Sequence, residues 1–127
     1  MAQVPMASTL VDLMRFRADS TPDKVGFIFL RDGHADEARL TYAQLDRKAR
    51  QIAEYLLDEV PPGSRVLINH PPGLEYISSY FGCLYASMVA VPVYPPRFNQ
   101  KLDRLNSIVR CASPAAALTA KQTMDTL

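Results

Sequence analysis

GCLYASMVAVPVYPPR, residues 82–97, is the stretch whose reading decides the fold. It belongs to an apolar run from Tyr80 to Val93, shorter than the ~20 apolar residues a bilayer-spanning helix needs. Gly82 and Pro92 interrupt it further, so no transmembrane segment is expected. The run divides in two. Leu74, Ile77, Phe81, Leu84, Tyr85 and Met88 recur at helical spacing. Val89-Ala90-Val91-Pro92-Val93 is short, β-branched and continuous, the pattern of a strand buried on both faces of a parallel sheet. Pro92 has no N–H for a ladder, which places it at an edge, a bulge or a strand end. The stretch is therefore a buried helix–strand unit that exits at Tyr94-Pro95-Pro96-Arg97.

The same rhythm extends outward on both sides. Thr9 to about Ala18 is an amphipathic helix, broken by Ser20-Thr21-Pro22-Asp23. Val25–Leu30 reads as a strand, Arg31–His34 as a turn, and Ala38–Leu40 as a second strand closing a hairpin. In LTYAQL, residues 40–45, Thr41 and Gln44 have capping-box spacing, and Leu40 and Leu45 stand at the staple positions. The helix they open carries Leu45, Ala49, Ile52, Ala53, Leu56 and Val60 on one face. Asp46 and Arg50 support its outer face at i, i+4. Pro61-Pro62-Gly63 ends it. RVLINH, residues 65–70, is a buried strand, and Pro71-Pro72-Gly73 turns into the helix from Leu74. Leu102, Leu105, Ile108 and Val109 mark one more helix, and AAALT, residues 115–119, a third buried strand. Alternating strands and helices imply an α/β fold, with a parallel sheet, right-handed crossovers, flanking helices and a small β-hairpin. Three parallel strands are few for such a sheet, so the expectation is one partial subdomain over residues 1–127, without an internal boundary and truncated mid-fold.

Composition narrows the function classes. The 127 residues are 48% hydrophobic and 21% charged, with a net charge of +1. That is a globular composition, with no charge imbalance pointing to nucleic acid or to an anionic membrane surface. Cys83 and Cys111 both fall in apolar helical patterns and are expected to be buried free thiols. MAQVPMASTL lacks a basic segment followed by an apolar core, so no signal peptide is expected, and the cytoplasm is the default compartment.

Two motifs carry a resemblance. LTYAQL resembles the first core motif of the adenylate-forming superfamily: acyl- and aryl-CoA synthetases, peptide-synthetase adenylation domains and luciferases. Leu84 to Pro92 resembles the second. PPGLEYISSYFGCLYASMVAVPVYPPR, residues 71–97, together with the downstream IVRCASPAAALT, resembles one branch, the fatty acyl-AMP ligases. The likeness covers about Thr9 to Thr119. It departs at Ser87, where the family usually has Gly, a residue that eases a positive φ at a helix end.

The resemblance implies the N-terminal part of the adenylate-forming large domain. It further implies an enzyme that activates a medium- or long-chain fatty acid with ATP and Mg²⁺. The acyl-adenylate would pass to an acyl carrier protein, often on a polyketide or peptide synthase. The alternatives are a long-chain acyl-CoA synthetase and a non-catalytic, adenylation-like interaction module. A free-standing flavodoxin-like binding domain has too few strands in its favour. No catalytic, cofactor-binding or metal-ligating residue of the family is identified in this stretch, so the segment alone is expected to be inactive. Ligands of open α/β sheets sit beyond the carboxyl ends of the strands. His70, Tyr94 and Arg97 are the ligand-proximal candidates on that ground. His70 also reads as a satisfied loop histidine, Arg97 as a solvated loop charge and Tyr94 as a packing residue. An uncovered sheet edge and apolar face would favour self-association.

Overall fold

The computed structural model describes residues 8–31, 36–93 and 103–119. The elements run α1 (Leu10–Ser20), β1 (Val25–Arg31), β2 (Asp36–Thr41), α2 (Tyr42–Glu59), β3 (Arg65–Asn69), α3 (Leu74–Tyr85), β4 (Val89–Pro92), α4 (Asp103–Ala112) and β5 (Ala116–Thr119). This is the order the sequence pattern predicts. β1 and β2 form an antiparallel pair, and β4-β3-β5 a parallel sheet.

α2 begins where its chemistry says it must. The Gln44 amide donates to Thr41 Oγ1 at 3.1 Å, and the Thr41 amide donates to Gln44 Oε1 at 2.9 Å. The next two first-turn amides, Tyr42 and Ala43, donate to the carbonyls of Lys24 and Pro22, both at 3.0 Å. Four donors that a helix start leaves without intrahelical partners are thus satisfied. Leu40 and Leu45, on either side of the cap, share one buried cluster with Met14 and Ala18 of α1. Phe27, Ile77 and Phe81 pack against that cluster and tie the hairpin to α3.

The other end of α2 builds the main core. Ala53 and Leu56 meet Val66 and Ile68 of β3 and Cys83, Ala86 and Met88 from α3 and its exit. Burying Leu56, Val66, Ile68 and Met88 contributes about 1.5–3 kcal/mol each. α2 and α3 approach closely at Gly82, where a Cβ would lie 2.5 Å from Ile52 Cγ2. Tyr85 of α3 donates to Asp46 Oδ1 at 2.7 Å, and Arg50 Nε donates to Asp46 Oδ2 at 2.8 Å. The Asp46–Arg50 pair is therefore half of a bridge between two helices as well as an outer-face support.

α3 ends at Tyr85, earlier than the apolar periodicity suggests, because Ser87 takes φ 59°. The Ser87 amide donates to Leu84 O at 3.1 Å and the Met88 amide to Cys83 O at 2.9 Å. This pair of bonds is a Schellman motif with Ser in the position glycine usually holds. This left-handed backbone is the conformation that glycine adopts without strain. α4 closes in a similar way. Ser113 has φ 47°, its amide donates to Val109 O at 2.9 Å, and Pro114 follows.

Three expectations need correction. β4 is not buried on both faces: it is a sheet edge among the described residues, with Val89 49% exposed and Pro92 at its exposed end. β5 is half-buried rather than core. Cys111 is exposed, whereas Cys83 is fully buried as expected. The causes are shared. β4 and β5 have a partner on one side only, and α4 buries none of its residues.

Candidate functional site

β3 is the central strand, and Val66 to Asn69 are buried along it. From β3 the chain crosses to β4 on one side, then returns to β5 on the other. Right-handed crossovers put the two connecting helices on opposite faces of the sheet. The direction of winding reverses between β3 and β5. Ligands of open α/β sheets bind in the crevice outside the carboxyl ends of strands at such a reversal.

Asn69 and His70 stand at that end of β3. Asn69 lies opposite Thr119 in the β3–β5 register, and Thr119 Oγ1 donates to the Asn69 carbonyl at 3.1 Å. On the other side the Val93 amide donates to Ile68 O at 2.9 Å, carrying the β3–β4 ladder one residue past Pro92. His70, one position beyond the strand, turns its ring to α3, where Nε2 and Ser79 Oγ are 3.0 Å apart. Both side chains are buried, and Asn69 Oδ1 and His70 Nδ1 have no hydrogen-bond partner among the described residues.

The electrostatics are those of an uncharged site. Burial lowers the pKa of His70 below the ordinary histidine value, and the carboxylate of Glu75 pulls it back in part. Glu75 in turn pairs with Lys48 at 3.4 Å on the surface. Cys83 is no nucleophile: burial pushes its thiol up to about 11, so little thiolate forms at neutral pH. Burial, followed by the bond to Asp46, holds the Tyr85 phenol well above its usual value. Among the described residues no three His, Cys, Asp or Glu side chains gather as a metal site. None of the described helices is long and apolar enough to cross a membrane.

Of the three ligand-proximal candidates, His70 is at the strand end as expected. Tyr94 and Arg97 lie outside the described residues. Sequence reasoning missed Asn69, Ser79 and Thr119. A polar residue closing an otherwise apolar strand was the available signal for Asn69. Nothing local pointed to Ser79 or Thr119, which reach the site only through α3 packing and strand order.

Known proteins place this arrangement. The family model described as AMP-binding enzyme matches residues 14–127. The chain is 40% identical over 118 residues to the medium-chain-fatty-acid acyl-carrier-protein ligase JamA of Moorena producens, covering 91% of this chain and 20% of that protein. It is 34% identical over 122 residues to a 4-hydroxyphenylalkanoate adenylyltransferase of Mycobacterium tuberculosis, covering 93% and 20%. The crystal structure of the fatty acyl-adenylate ligase from L. pneumophila, in complex with acyl adenylate and pyrophosphate, matches with a TM-score of 0.90 and 38% identity. That match covers 95% of this chain and 21% of that one. The chain spans about a fifth of the length of these relatives.

Proposed function

The chain belongs to the AMP-binding enzyme family, and on that premise we propose that the native polypeptide carrying these residues is an ATP-dependent fatty acyl-AMP ligase. The fatty acid carboxylate attacks the α-phosphorus of ATP. An acyl–phosphate bond forms, the α–β phosphoanhydride breaks, and pyrophosphate leaves. The thiol of an acyl carrier protein then attacks the acyl carbonyl and displaces AMP, leaving a thioester for lipid or polyketide synthesis. The observation that carries this reading is the agreement in fold and sequence with a ligase crystallised with acyl adenylate and pyrophosphate. The acyl-carrier-protein ligase among the relatives supports the carrier as acceptor over free CoA.

These 127 residues form one structural part of that enzyme, a partial N-terminal subdomain without an internal boundary. Its described residues offer no metal-binding cluster. No step through Mg²⁺ is placed on them. The positive groups that stabilise charge on the transferring phosphates are assigned to other parts of the enzyme. In this reading His70, Tyr94 and Arg97 remain the ligand-proximal candidates, the protein works in the cytoplasm, and the isolated segment self-associates through its uncovered edges.

The test incubates the native polypeptide, and separately the 127-residue segment, with ATP, Mg²⁺ and labelled dodecanoic acid, with and without CoA. Acyl-adenylate that accumulates from the native polypeptide and is not consumed by CoA is the expected result. Acyl-CoA would make the protein a CoA synthetase, and no product would make it a non-catalytic module. Product from the segment alone would overturn the statement that the machinery lies elsewhere.

A further inference from the structure

Asn69 closes β3 where the winding of the sheet reverses, and its side-chain oxygen Oδ1 is buried without a hydrogen-bond partner among the described residues. The residue is 2% exposed. Buried polar atoms are nearly always hydrogen-bonded, and one left bare costs stability. Successive side chains of a strand point to opposite faces of the sheet. Val66 and Ile68 belong to the core shared with α3, so Leu67 and Asn69 point to the other face. Thr119 joins Asn69 there: it is the β5 residue in register with Asn69, and its neighbour Leu118 packs on the α3 side. His70 has no part in this face, because its ring is turned to Ser79 of α3.

The surroundings of Asn69 select what its side chain can take. α4 crosses the same face: Arg65, on the Asn69 side of β3, donates to Ala112 O at the end of α4 at 3.1 Å. None of the α4 residues is buried, so that helix is not locked over the strand end. Thr119 Oγ1 donates to the Asn69 carbonyl at 3.1 Å and so holds the backbone from which the side chain projects. Oδ1 itself can only accept, so the group it needs is a donor. Arg65, the cation on that side of β3, sits at the far end of the strand and is engaged by α4. A phosphate or carboxylate would meet the bare oxygen without a counter-charge, whereas an amide, amino or hydroxyl group would satisfy it.

We propose that Asn69 Oδ1 is a ligand contact at the β3–β5 reversal, accepting a hydrogen bond from an uncharged N–H or O–H group of a substrate, with Thr119 as its positioning residue. The choice of substrates rests on the acyl-activation reading. The alkyl chain of a fatty acid brings no donor. Two sources of that chemistry remain: the adenosine part of ATP and the amide-bearing arm of the thiol acceptor.

The experiment uses the native polypeptide and its Asn69→Leu, Thr119→Val and Thr119→Ser variants. Leu keeps the bulk of Asn without an acceptor. Val keeps the shape of Thr without the hydroxyl, and Ser keeps the hydroxyl. ATP and pantetheine are titrated separately by calorimetry, and melting temperatures are measured without ligand. The expected result is that one of the two probes binds the native protein and is weakened about tenfold by Asn69→Leu. Thr119→Val should weaken it by a smaller factor, and Thr119→Ser should restore native binding. Asn69→Leu should also raise the melting temperature, since an unpartnered buried acceptor has been replaced by an apolar group. Weakened ATP assigns the contact to adenosine, and weakened pantetheine assigns it to the acceptor arm. Unchanged binding in Asn69→Leu, or no binding of either probe, overturns the proposal. So does a lower melting temperature of Asn69→Leu, which would mean that Oδ1 has its partner within the protein. Unchanged binding in Thr119→Val, or a Thr119→Ser variant as weak as Thr119→Val, overturns the positioning role. Pyrophosphate release by the native protein tests the ligase reading separately, so the failure of one is not read as failure of the other.

Discussion

α3–Ser87–β4 and α4–Ser113–β5 are two versions of one unit. Each is a helix, a left-handed serine and a four-residue strand laid parallel to β3. The first buries Ser78, Ser79, Gly82 and Cys83 of its helix and delivers Ala86 and Met88 to the core. The second buries no helix residue and leaves Val109 and Cys111 open. Turn geometry is therefore local, written in a few residues, while burial depends on what the helix is laid against. α3 has α2 beside it, with Gly82 on Ile52, and α4 has no such neighbour among the described residues.

The contrast breaks most readily in the core. Leu56→Ala removes a fully buried side chain beneath α3. It is expected to destabilise the chain by about 2–5 kcal/mol. Val109→Ala on α4 should change stability by less than about 0.5 kcal/mol. Urea denaturation of both variants decides this, and comparable losses would mean that α4 is as tightly packed as α3. A smaller effect is expected from Gly82→Ala. The new methyl group would meet Ile52 close to its backbone, where a rotamer change gives little room. Overpacking of this kind costs about 1–3 kcal/mol, and the same denaturation series reads it. A neutral Gly82→Ala would show that the α2–α3 contact has slack.

Smaller still, Ser87→Gly and Ser113→Gly should each raise stability by up to about 1 kcal/mol, since both serines hold a left-handed backbone that glycine adopts freely. Equal gains at the two sites would support the view that the turns are local. A gain at Ser87 alone would tie the turn to the packing beneath it. The smallest expected effect concerns His70. Its pKa is depressed in the folded chain, so the unfolded chain binds more protons between that value and the ordinary one of ~6.5. Stability should rise with pH across that window and level off above it. Melting curves from about pH 5 to about pH 7.5 should show the slope, and His70→Gln should flatten it. An unchanged slope in His70→Gln would place the titration elsewhere.

Much of this fold is legible in the residues because the relevant physics is short-range. Thr41 and Gln44 announce the start of α2, and both reciprocal bonds are present. The left-handed turn at Ser87 is expected only through the resemblance to a family that usually has Gly there, and it is present. The less legible features involve distant partners. Nothing near Gly82 says that Ile52 will press on it. The apolar pattern around Cys111 matches that around Cys83, although only one of them is covered. The strand order β4-β3-β5 has no signature in any window of sequence. Without it the reversal between β3 and β5 is invisible, and Asn69 reads as the last letter of a strand rather than as part of a site.

The pairing of Asn69 with Thr119 has a consequence for the order in which the chain is made. These residues are 50 positions apart, while β4 meets the other edge of β3 much sooner. At ribosomal speeds of about 5–20 residues per second, β3 waits roughly 3–10 seconds with one side of its backbone unpaired. An unpaired edge on an apolar strand invites other strands. The nascent chain therefore passes through an interval in which a chaperone, or a neighbouring nascent chain, competes with its own β5.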